Sequence, residues 1–564
     1  MTSITIEQRK KDLELLAKHE FDILIVGAGI TGAGIAWDAA MRGLKVAIID
    51  KEDFGAGTSS GSSKLVHAGI RYLANGDFNL VSHASQERMW MFRALPHITE
   101  PIPFLIPIYK KGKNTFVKML LAGTLYDILS KFKNTDKAAF LSKDQTLDKI
   151  PNLKSDALKR SLFYWDGIMD DARVTLETIL SARENGTITV NHVKVESFIT
   201  ETDSELGEVV KGVNAIDSFS EEKITIKAKV VINATGPWTD QVIEMLGDES
   251  KLLRTTKGIH IVTKKIFDRN IVVVITADDR RSMFVIPFRK KYSIIGTTDT
   301  DFEDEFDHVE VTQEDIDYVV SAVNNDFPGS ITKEDIISAY SGIRPLILSP
   351  KAKSETDTSR WFKVYETKPN LLTVTGGKFT IFRYIAEKAV DKCLKVLDLK
   401  KKDYPCKTEK SQLHGGEGIT NIIDYLRKYV PPLIRKYEMD FEVVDHIVHT
   451  YGTAHTNIFE LIDKDEKLKE RIAENRPYIL AEIIHIVENE ICHTLSDFLL
   501  RRTQLQLIDN QALDCAEKVA VEMGKLLMWD KKRQIEEIEN YKKDLTWKPK
   551  NHRTVAREKE MRDN

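Results

Sequence analysis

The chain has 564 residues, of which 42% are hydrophobic and 30% are charged, and its formal net charge is −4. This length exceeds what one hydrophobic core serves, so we expect two or three globular domains. The balanced charge disfavours a nucleic-acid partner, and the four cysteines lack the paired spacing of a metal site or a disulfide framework.

Residues 1–20 carry acids among their lysines and lack the apolar core of a secretory signal. We interpret them as a helical extension. No apolar run in the chain approaches the roughly 20 residues of a membrane-spanning helix. The sequence therefore predicts a cytoplasmic protein, and it leaves open a peripheral attachment to the membrane surface.

Residues 23–50 have the order of a dinucleotide-binding unit: an apolar strand, a glycine-rich turn, a helix of small residues, and a second strand that ends at Asp50. The first glycine permits the tight turn, the second lets the backbone approach a pyrophosphate, and the third lets helix and strand pack closely. A carboxylate at position 50 can bind ribose hydroxyls. The candidate nucleotide contacts are Gly27, Ala28, Gly29, Ile30, Thr31, Gly32, Asp50 and Lys51.

A serine-rich loop follows this unit and reads TSSGSSKL over residues 58–65. Its hydroxyls and backbone amides can hydrogen-bond to a pyrophosphate, a ribityl chain or the polar edge of a flavin. The alternative is a flexible loop without a ligand, but its position directly after the fingerprint favours cofactor binding. The candidate contacts are Thr58, Ser59, Ser60, Ser63, Lys64 and Leu65.

Strand patterns recur through the middle of the chain, at residues 188–195, 224–232, 271–275 and 283–298. Two apolar runs, at residues 230–234 and 371–374, end in glycine and are predicted to return to the nucleotide sheet. The second is expected to open a helix at Lys378. Strands that rejoin the nucleotide sheet from distant parts of the chain favour FAD over NAD, because a flavin enzyme holds its long cofactor between interleaved domains. Further candidate cofactor contacts are Val193, Gly236, Gly377, Lys378, Phe379 and Thr380.

The domain boundaries follow from these patterns. We predict an oxidoreductase unit over residues 21–404, with its FAD-binding and substrate subdomains interleaved. Residues 405–418, with their glycines, are predicted to form a linker. Helical spacing of apolar residues then predicts a helical domain over residues 419–530, and residues 531–564 form a charged tail.

Several cations fall in patterns that suit an anionic substrate. Arg71 and Tyr72 follow a glycine, Arg344 lies in an apparent Gly/Pro-framed turn at residues 340–345, and Arg360 precedes a tryptophan. A guanidinium binds phosphate or carboxylate through two parallel hydrogen bonds. With Lys378, these residues predict a pocket for a phosphate dianion. His67 is a candidate to take a hydroxyl proton, although a packing role is equally compatible with its position.

These blocks resemble the FAD-dependent glycerol-3-phosphate dehydrogenases. The family's first signature runs through residues 25–43, its second matches around residues 376–383, and its C-terminal signature resembles residues 497–503. Further similar blocks are residues 62–65, 71–72, 233–238, 296–299 and 341–345. The chain departs from the family at Ala28, usually glycine, at Ile381, usually small or polar, and at Phe382, usually tyrosine.

The resemblance implies an α/β fold in which a Rossmann-like FAD-binding domain is interleaved with a β-rich substrate domain, as in D-amino-acid oxidase, plus a C-terminal α-helical domain. It implies oxidation of sn-glycerol 3-phosphate to dihydroxyacetone phosphate, with hydride passing from C2 to flavin N5. By position, the substrate pocket consists of Arg71, Tyr72, Thr297, Arg344, Arg360 and Lys378.

Residues 109–133 bear on which electron acceptor the enzyme uses. They combine apolar residues on one helical face with lysines at both ends. Such a helix can rest on anionic lipid, or it can pack on its own core. With no oxidase-type insertion recognised, we expect the quinone-linked form, peripherally attached to the inner face of the cell membrane. The alternatives are an oxidase that releases hydrogen peroxide, a 2-hydroxyglutarate-type dehydrogenase, and a non-catalytic flavin-binding protein. A homodimer is possible.

Overall fold

The structure is a computed structural model that describes residues 4–110, 112, 115–130, 135–348 and 361–547, and only the backbone of residues 71, 74 and 75. Its described helices are α1 (Ile4–Lys18), α2 (Ile30–Met41), α3 (Phe78–Ala94), α4 (Phe116–Leu129), α5 (Lys143–Lys149), α6 (Asp171–Glu184), α7 (Thr239–Glu244), α8 (Gln313–Asp326), α9 (Phe382–Val396), α10 (Ile422–Tyr437), α11 (Phe441–Tyr451), α12 (His455–Lys464), α13 (Leu480–Asn489), α14 (Ala516–Leu527) and α15 (Lys531–Asp544).

The described strands are β1 (Glu20–Val26), β2 (Val46–Ile49), β3 (Leu65–Val66), β4 (Thr99–Tyr109), β5 (Ala139–Ser142), β6 (Leu158–Met169), β7 (Ile188–Val190), β8 (Val193–Asp203), β9 (Gly207–Asp217), β10 (Lys223–Asn233), β11 (Leu253–Lys264), β12 (Val272–Thr276), β13 (Ser282–Phe288), β14 (Tyr292–Gly296), β15 (Thr300–Asp301), β16 (Ile336–Ile347), β17 (Phe362–Lys368) and β18 (Leu371–Gly376).

An eight-stranded sheet carries the nucleotide turn. Its order is β17-β18-β10-β1-β2-β7, and the β8-β9 hairpin extends from β10. Strand β1 is parallel to both β2 and β10, and it is apolar and largely buried, as expected for a parallel strand covered on both faces. Helices α2, α6 and α9 share a core with one face, and α1 with the β8-β9 hairpin shares a core with the other.

Both predicted returns to this sheet are confirmed. Residues 230–233 form the end of β10 beside β1, and residues 371–374 lie in β18, which is parallel to β10. The helix predicted to open at Lys378 begins later, because a 3₁₀ turn over Phe379–Ile381 intervenes and α9 starts at Phe382. The nucleotide unit is therefore assembled from distant parts of the chain.

A ten-stranded sheet forms the second subdomain, in the order β15-β11-β14-β13-β12-β4-β6-β3, with β16 paired to β11 and β5 to β6. The segments predicted at 271–275 and 283–298 correspond to β12 and the β13-β14 hairpin. The strand predicted at 188–195 is instead divided into β7 and β8, because His192 adopts a left-handed φ of +55°. The turn predicted at 340–345 is also wrong, since these residues lie within β16.

Helices α10 to α15 form a C-terminal helical part; α10 to α14 lie within the helical domain predicted over residues 419–530, and α15 begins the segment predicted as a charged tail. Its apolar residues, among them Ile483 and Phe498, belong to the same continuous core as Ile25 of the nucleotide sheet. None of the described helices is long and apolar enough to cross a membrane. The architecture is thus the expected α/β fold with interleaved subdomains and a helical C-terminal part.

Two polar segments of this part pack on the rest of the chain. Within residues 405–418, Leu413 is fully buried and its N–H donates to the carbonyl of Ala94 at the end of α3. Helix α15, with which the charged segment from residue 531 begins, fully buries Tyr541, and just after the helix the Thr546 carbonyl accepts from the Val311 N–H of the substrate subdomain. The helical part is therefore closely joined to the nucleotide unit.

Candidate active site

The turn between β1 and α2 is built by close backbone contacts. Gly27 has a φ of +100°, and a Cβ there would lie 2.7 Å from the carbonyl oxygen of Ala234. A Cβ on Gly32 would lie 1.9 Å from the carbonyl oxygen of Gly27. Gly29 caps α2 without a side chain, so the helix N-terminus is open to a ligand. An uncapped N-terminus beside glycines is suited to a pyrophosphate.

Asp50 is fixed at the end of β2 by backbone donors. One carboxylate oxygen accepts from the Ala28 N–H at 2.6 Å, and the other accepts from the Glu52 N–H at 3.0 Å. Burial raises the pKa of Asp50 to about 6 in the protein alone. A hydroxyl that donates to this carboxylate stabilises its charged form, which is the role that a ribose would supply.

The serine-rich loop is held on both sides. The Ile30 N–H donates to Ser59 Oγ at 2.9 Å, and Thr58 Oγ1 donates to the carbonyl of Ile343 in β16 at 2.5 Å. A Cβ on Gly61 would lie 2.6 Å from the carbonyl oxygen of Ser341, so the loop backbone lies directly against β16. The loop is therefore clasped between the two sheets.

Two residues predicted to bind the cofactor from this loop point elsewhere. Ser60 lines a second, neighbouring cavity and is absent from the lining of the cavity that contains Thr58, Ser59 and Ser63. Lys64 is buried, and its ammonium pairs with the carboxylate of Asp171 at the start of α6. Lys64 thus anchors the loop in the structure.

One cation of the site lies at the end of β18. Lys378 Nζ donates to the carbonyl of His67 at 2.9 Å and lies 4.8 Å from the ring centroid of Tyr72. Gly69 makes this arrangement possible, because a Cβ there would lie 2.3 Å from the Tyr72 ring and 3.2 Å from Lys378 Nζ. The segment around residues 67–72 and the residue after Gly377 therefore form one cluster.

The second cation lies on β16. Arg344 donates to Thr297 Oγ1 at 2.9 Å, to the carboxylate of Asp299 at 3.0 Å and to the carbonyl of Thr298 at 3.1 Å. Its guanidinium crosses β11 over Gly258, where a Cβ would lie 2.2 Å from a guanidinium nitrogen. These contacts fix the orientation of the guanidinium before any ligand binds.

His260 joins the site without having been predicted. Its Nε2 lies 2.8 Å from Ser63 Oγ, and its ring stacks on Tyr340 at 4.8 Å. Burial, together with the positive charges of Arg344 and Lys64, lowers the pKa of His260 well below its ordinary value. The imidazole is therefore neutral, and the surrounding charges oppose its protonation.

A cavity of about 540 Å³ contains most of the predicted residues. Those that line it are Gly27, Gly29, Ile30, Thr31, Asp50, Lys51, Thr58, Ser59, Ser63, Leu65, His67, Tyr72, Val193, Gly236, Thr297, Arg344, Gly377, Lys378, Phe379 and Thr380. Ala28 and Gly32 do not line the cavity themselves. The Ala28 N–H donates to Asp50 and Gly32 packs on Gly27, and both of these partners line it. Arg71 is described only in its backbone, in the 3₁₀ turn Ile70–Asn75, and Arg360 lies outside the described residues.

The cavity joins a phosphate-binding turn to a cationic cluster across two interleaved sheets. Residues 22–388 match the family described as FAD dependent oxidoreductase, and residues 406–534 match the family described as the C-terminal domain of alpha-glycerophosphate oxidase. The fold and the cavity thus define a FAD-dependent oxidoreductase, and FAD is the cofactor of this enzyme.

Relatives that are similar over most of the chain show which family of FAD-dependent oxidoreductases it belongs to. An aerobic glycerol-3-phosphate dehydrogenase of Staphylococcus haemolyticus (strain JCSC1435) is 36% identical, covering 95% of this chain and 96% of the relative. One of Staphylococcus aureus (strain MRSA252) is 37% identical over 88% of both chains. The chain belongs to the FAD-dependent glycerol-3-phosphate dehydrogenase family.

Two solved structures have a similar fold. The glycerol-3-phosphate dehydrogenase from Bacillus halodurans, complexed with FAD, superposes with a TM-score of 0.79 at 29% identity, covering 97% of this chain and 98% of that chain. The L-alpha-glycerophosphate oxidase from Mycoplasma pneumoniae, with FAD bound, shares the fold with a TM-score of 0.53 at 19% identity, over 68% of this chain and 96% of that chain.

Two glycine substitutions distinguish the role of the turn in FAD binding from its role in the stability of the fold. We expect Gly29→Ala to leave the fold intact, because the backbone conformation at this position is allowed for alanine and the new Cβ would lie 3.1 Å from Ser59 Oγ. The same change should raise the Kd for FAD about tenfold or more, because the methyl group obstructs the pyrophosphate. Gly32→Ala should destabilise the apoprotein by about 1–3 kcal/mol or more through overpacking against Gly27.

Isothermal titration of apoprotein with FAD, combined with thermal unfolding of the apoprotein, measures both effects. Wild-type FAD affinity in the Gly29→Ala variant would contradict the placement of the pyrophosphate.

Proposed function

We propose that this enzyme oxidises sn-glycerol 3-phosphate to dihydroxyacetone phosphate. The proposal depends above all on Arg344 and Lys378, which come from different sheets and line one cavity. A substrate that carries a phosphate dianion and a hydroxyl requires cations of this kind beside its electron acceptor. The names of relatives that cover most of this chain support the same substrate.

The contacts within the cavity suggest a division of labour. Arg344, oriented by Thr297 and Asp299, would polarise the C2 hydroxyl together with Lys378. Tyr72 would hold the substrate beside them, and Arg71 and Arg360 remain predicted contacts of its phosphate. Because the guanidinium of Arg344 is already held by three acceptors, it needs little reorganisation as charge develops on the substrate oxygen.

The hydroxyl proton needs an acceptor. His260 is neutral, its Nε2 is held by Ser63, and its Nδ1 has no hydrogen-bond partner among the described residues. His67 is the alternative, although its ring lies edge-on to Phe284 at 6.1 Å and its carbonyl is occupied by Lys378 and Thr380. Both histidines line the cavity, so the proton would pass to one of these two side chains. The bound FAD supplies the remaining chemistry by accepting hydride from C2.

We further propose that the electrons pass to membrane quinone and that α4 holds the enzyme on an anionic bilayer. Val117 and Leu121 are 65% and 60% exposed, whereas α4 buries Gly123, Tyr126 and Asp127 against the protein. A helix that served only its own core would bury its apolar residues. The remaining large apolar residues exposed on α4 are Phe116, Leu120 and Ile128.

Charge around α4 supports a lipid partner. Lys110, Lys118 and Lys137 are exposed in or beside the helix, and lysines beside an apolar face suit anionic headgroups. Of the apolar face predicted from the sequence, Leu125 and Leu129 are half-buried, while Phe132 and lysines 111, 113, 131 and 133 lie outside the described residues. Helix α4 also packs on the 3₁₀ turn that carries Tyr72, so this face lies close to the substrate side of the cavity.

Substitution of Arg344 tests the proposed substrate site. We expect Arg344→Ala to lower kcat/KM for sn-glycerol 3-phosphate by about a thousandfold or more, because a preorganised charge on the developing oxyanion is lost, while flavin content stays normal. Arg344→Lys should recover part of the loss. Steady-state kinetics on flavin-saturated enzyme gives the answer, with Arg269→Ala, an exposed arginine of the same subdomain, as the control. Near-normal turnover of Arg344→Ala would refute the assignment.

The acceptor proposal makes a prediction about lipid. We expect the enzyme to co-sediment with phosphatidylglycerol vesicles more than with phosphatidylcholine vesicles. The double variant Leu120→Glu/Leu121→Glu should bind several-fold more weakly, because it places charges on the apolar face. Leu206→Glu, at an equally exposed leucine on the distant β8-β9 hairpin, is the matched control. Quinone reduction should also exceed peroxide release. Rapid stoichiometric peroxide, or vesicle binding unaffected by the double variant, would contradict the proposal.

A further inference from the structure

One short segment of the C-terminal helical part reaches both ends of the loop that follows Asp50. We define the cofactor loop as residues 50–64 and the bracing segment as residues 497–504. The bracing segment contains a π-helical turn, Asp497–Arg502, and ends at Gln504, which has a left-handed φ of +49°. It does not line the cofactor cavity, and it is distant in sequence from every residue that does.

The first bridge holds the beginning of the cofactor loop. Asp53 is fully buried and accepts from Arg501 Nε at 2.6 Å and from both terminal nitrogens of Arg502 at 2.6 and 2.9 Å. Arg502 also donates to the carbonyl of Glu490, which anchors it within the C-terminal part. Asp497 accepts from Arg501 at 3.0 Å. Two carboxylates and two guanidiniums therefore form a compact buried cluster.

The second bridge holds the end of the cofactor loop through α6. Gln504 is almost fully buried, and its amide donates to Asp170 at 2.9 Å and to Asp171 at 3.2 Å. Asp171 in turn accepts from the hydroxyl of Ser62 at 2.7 Å, and it also pairs with Lys64. The bracing segment thus contacts the loop directly at Asp53 and through one carboxylate at its far end.

The loop between these bridges contains three glycines, so ordering it has a high entropic cost. Gly55, Gly57 and Gly61 lie within it, and glycine loses more conformational entropy on ordering than any other residue. Its residues Thr58, Ser59 and Ser63 line the FAD cavity. A loop ordered before the cofactor arrives binds more tightly, because the ordering cost no longer opposes binding.

We propose that the C-terminal helical part retains FAD by bracing the cofactor loop, and that Arg501, Arg502 and Gln504 are positioning residues for the cofactor. They act through Asp53 and Asp171, and within the described part of the chain they make no hydrogen bond to Arg344, Lys378 or His260. Their loss therefore affects how long FAD stays bound, whereas the turnover of enzyme that still holds FAD is unchanged.

The test measures FAD release from the holoenzyme after dilution, followed by the fluorescence of free FAD. We expect Arg501→Met to release FAD at least tenfold faster than the wild type. With excess FAD in the assay, kcat and KM should return to near wild-type values. Gln504→Ala, a milder change, should release FAD several-fold faster, and it decides the question if Arg501→Met does not fold.

Two matched variants distinguish bracing from general destabilisation. Arg476→Met removes a buried arginine whose partners, Asp509, Asp514 and Cys515, all lie in the C-terminal part. Tyr292→Phe removes a hydrogen bond of 2.8 Å to Asp509 that joins this part to the substrate sheet. Both should release FAD at the wild-type rate even if their melting temperature falls. Wild-type release from folded Arg501→Met or Gln504→Ala, or equally fast release from the two controls, would overturn the proposal.

Discussion

The close approach of backbone to backbone where β1 turns into α2 is the constraint on which this enzyme depends. Only glycine fits at position 27, beside the backbone of Ala234. Only glycine at position 32 lets α2 pack on the turn. With that packing, the N-terminus of α2 opens toward the cavity and β10 lies directly beside β1. The neighbouring β18 then delivers Lys378 to the same cavity. The ten-stranded sheet adds Arg344 from the opposite side, so cofactor and substrate groups meet where the two sheets adjoin.

The nucleotide sheet could be predicted from the sequence because its strands are short apolar runs that end in glycine. The second sheet could be predicted only in part, at β12 and the β13-β14 hairpin. Strand β4 has prolines at positions 101, 103 and 107, a composition that argues against a strand in a sheet interior. These prolines are an even number of residues apart, so their missing N–H groups all face the same neighbour. On one side β4 forms an extended ladder with β6, while on the other it pairs with β12 over only residues 104–105. Pro345 is tolerated in β16 because that strand pairs only with β11 among the described strands.

The candidate site was predictable where a motif has a fixed geometry, as at the glycine turn and at Gly377-Lys378. It was less predictable where a side chain can turn either way. Lys64 belongs to a serine-rich run whose other members Thr58, Ser59 and Ser63 line the cavity, yet its own ammonium forms a buried pair with Asp171, which is remote in sequence. A lone histidine in an apolar strand has no sequence signal, so His260 emerged only from its contact with Ser63. Residues 497–503 resembled a family signature, but their contacts with Asp53 and Asp171 could not be predicted, because these partners are remote in sequence.

The central claim is that the cationic end of the cavity directs sn-glycerol 3-phosphate to the flavin. Anaerobic titration of the holoenzyme, followed by the visible absorption of FAD, tests it most directly. We expect sn-glycerol 3-phosphate to bleach the flavin spectrum at close to one equivalent per FAD, and 2-hydroxyglutarate to leave the spectrum unchanged. Bleaching by 2-hydroxyglutarate, or an oxidised spectrum that persists in excess sn-glycerol 3-phosphate, would contradict it.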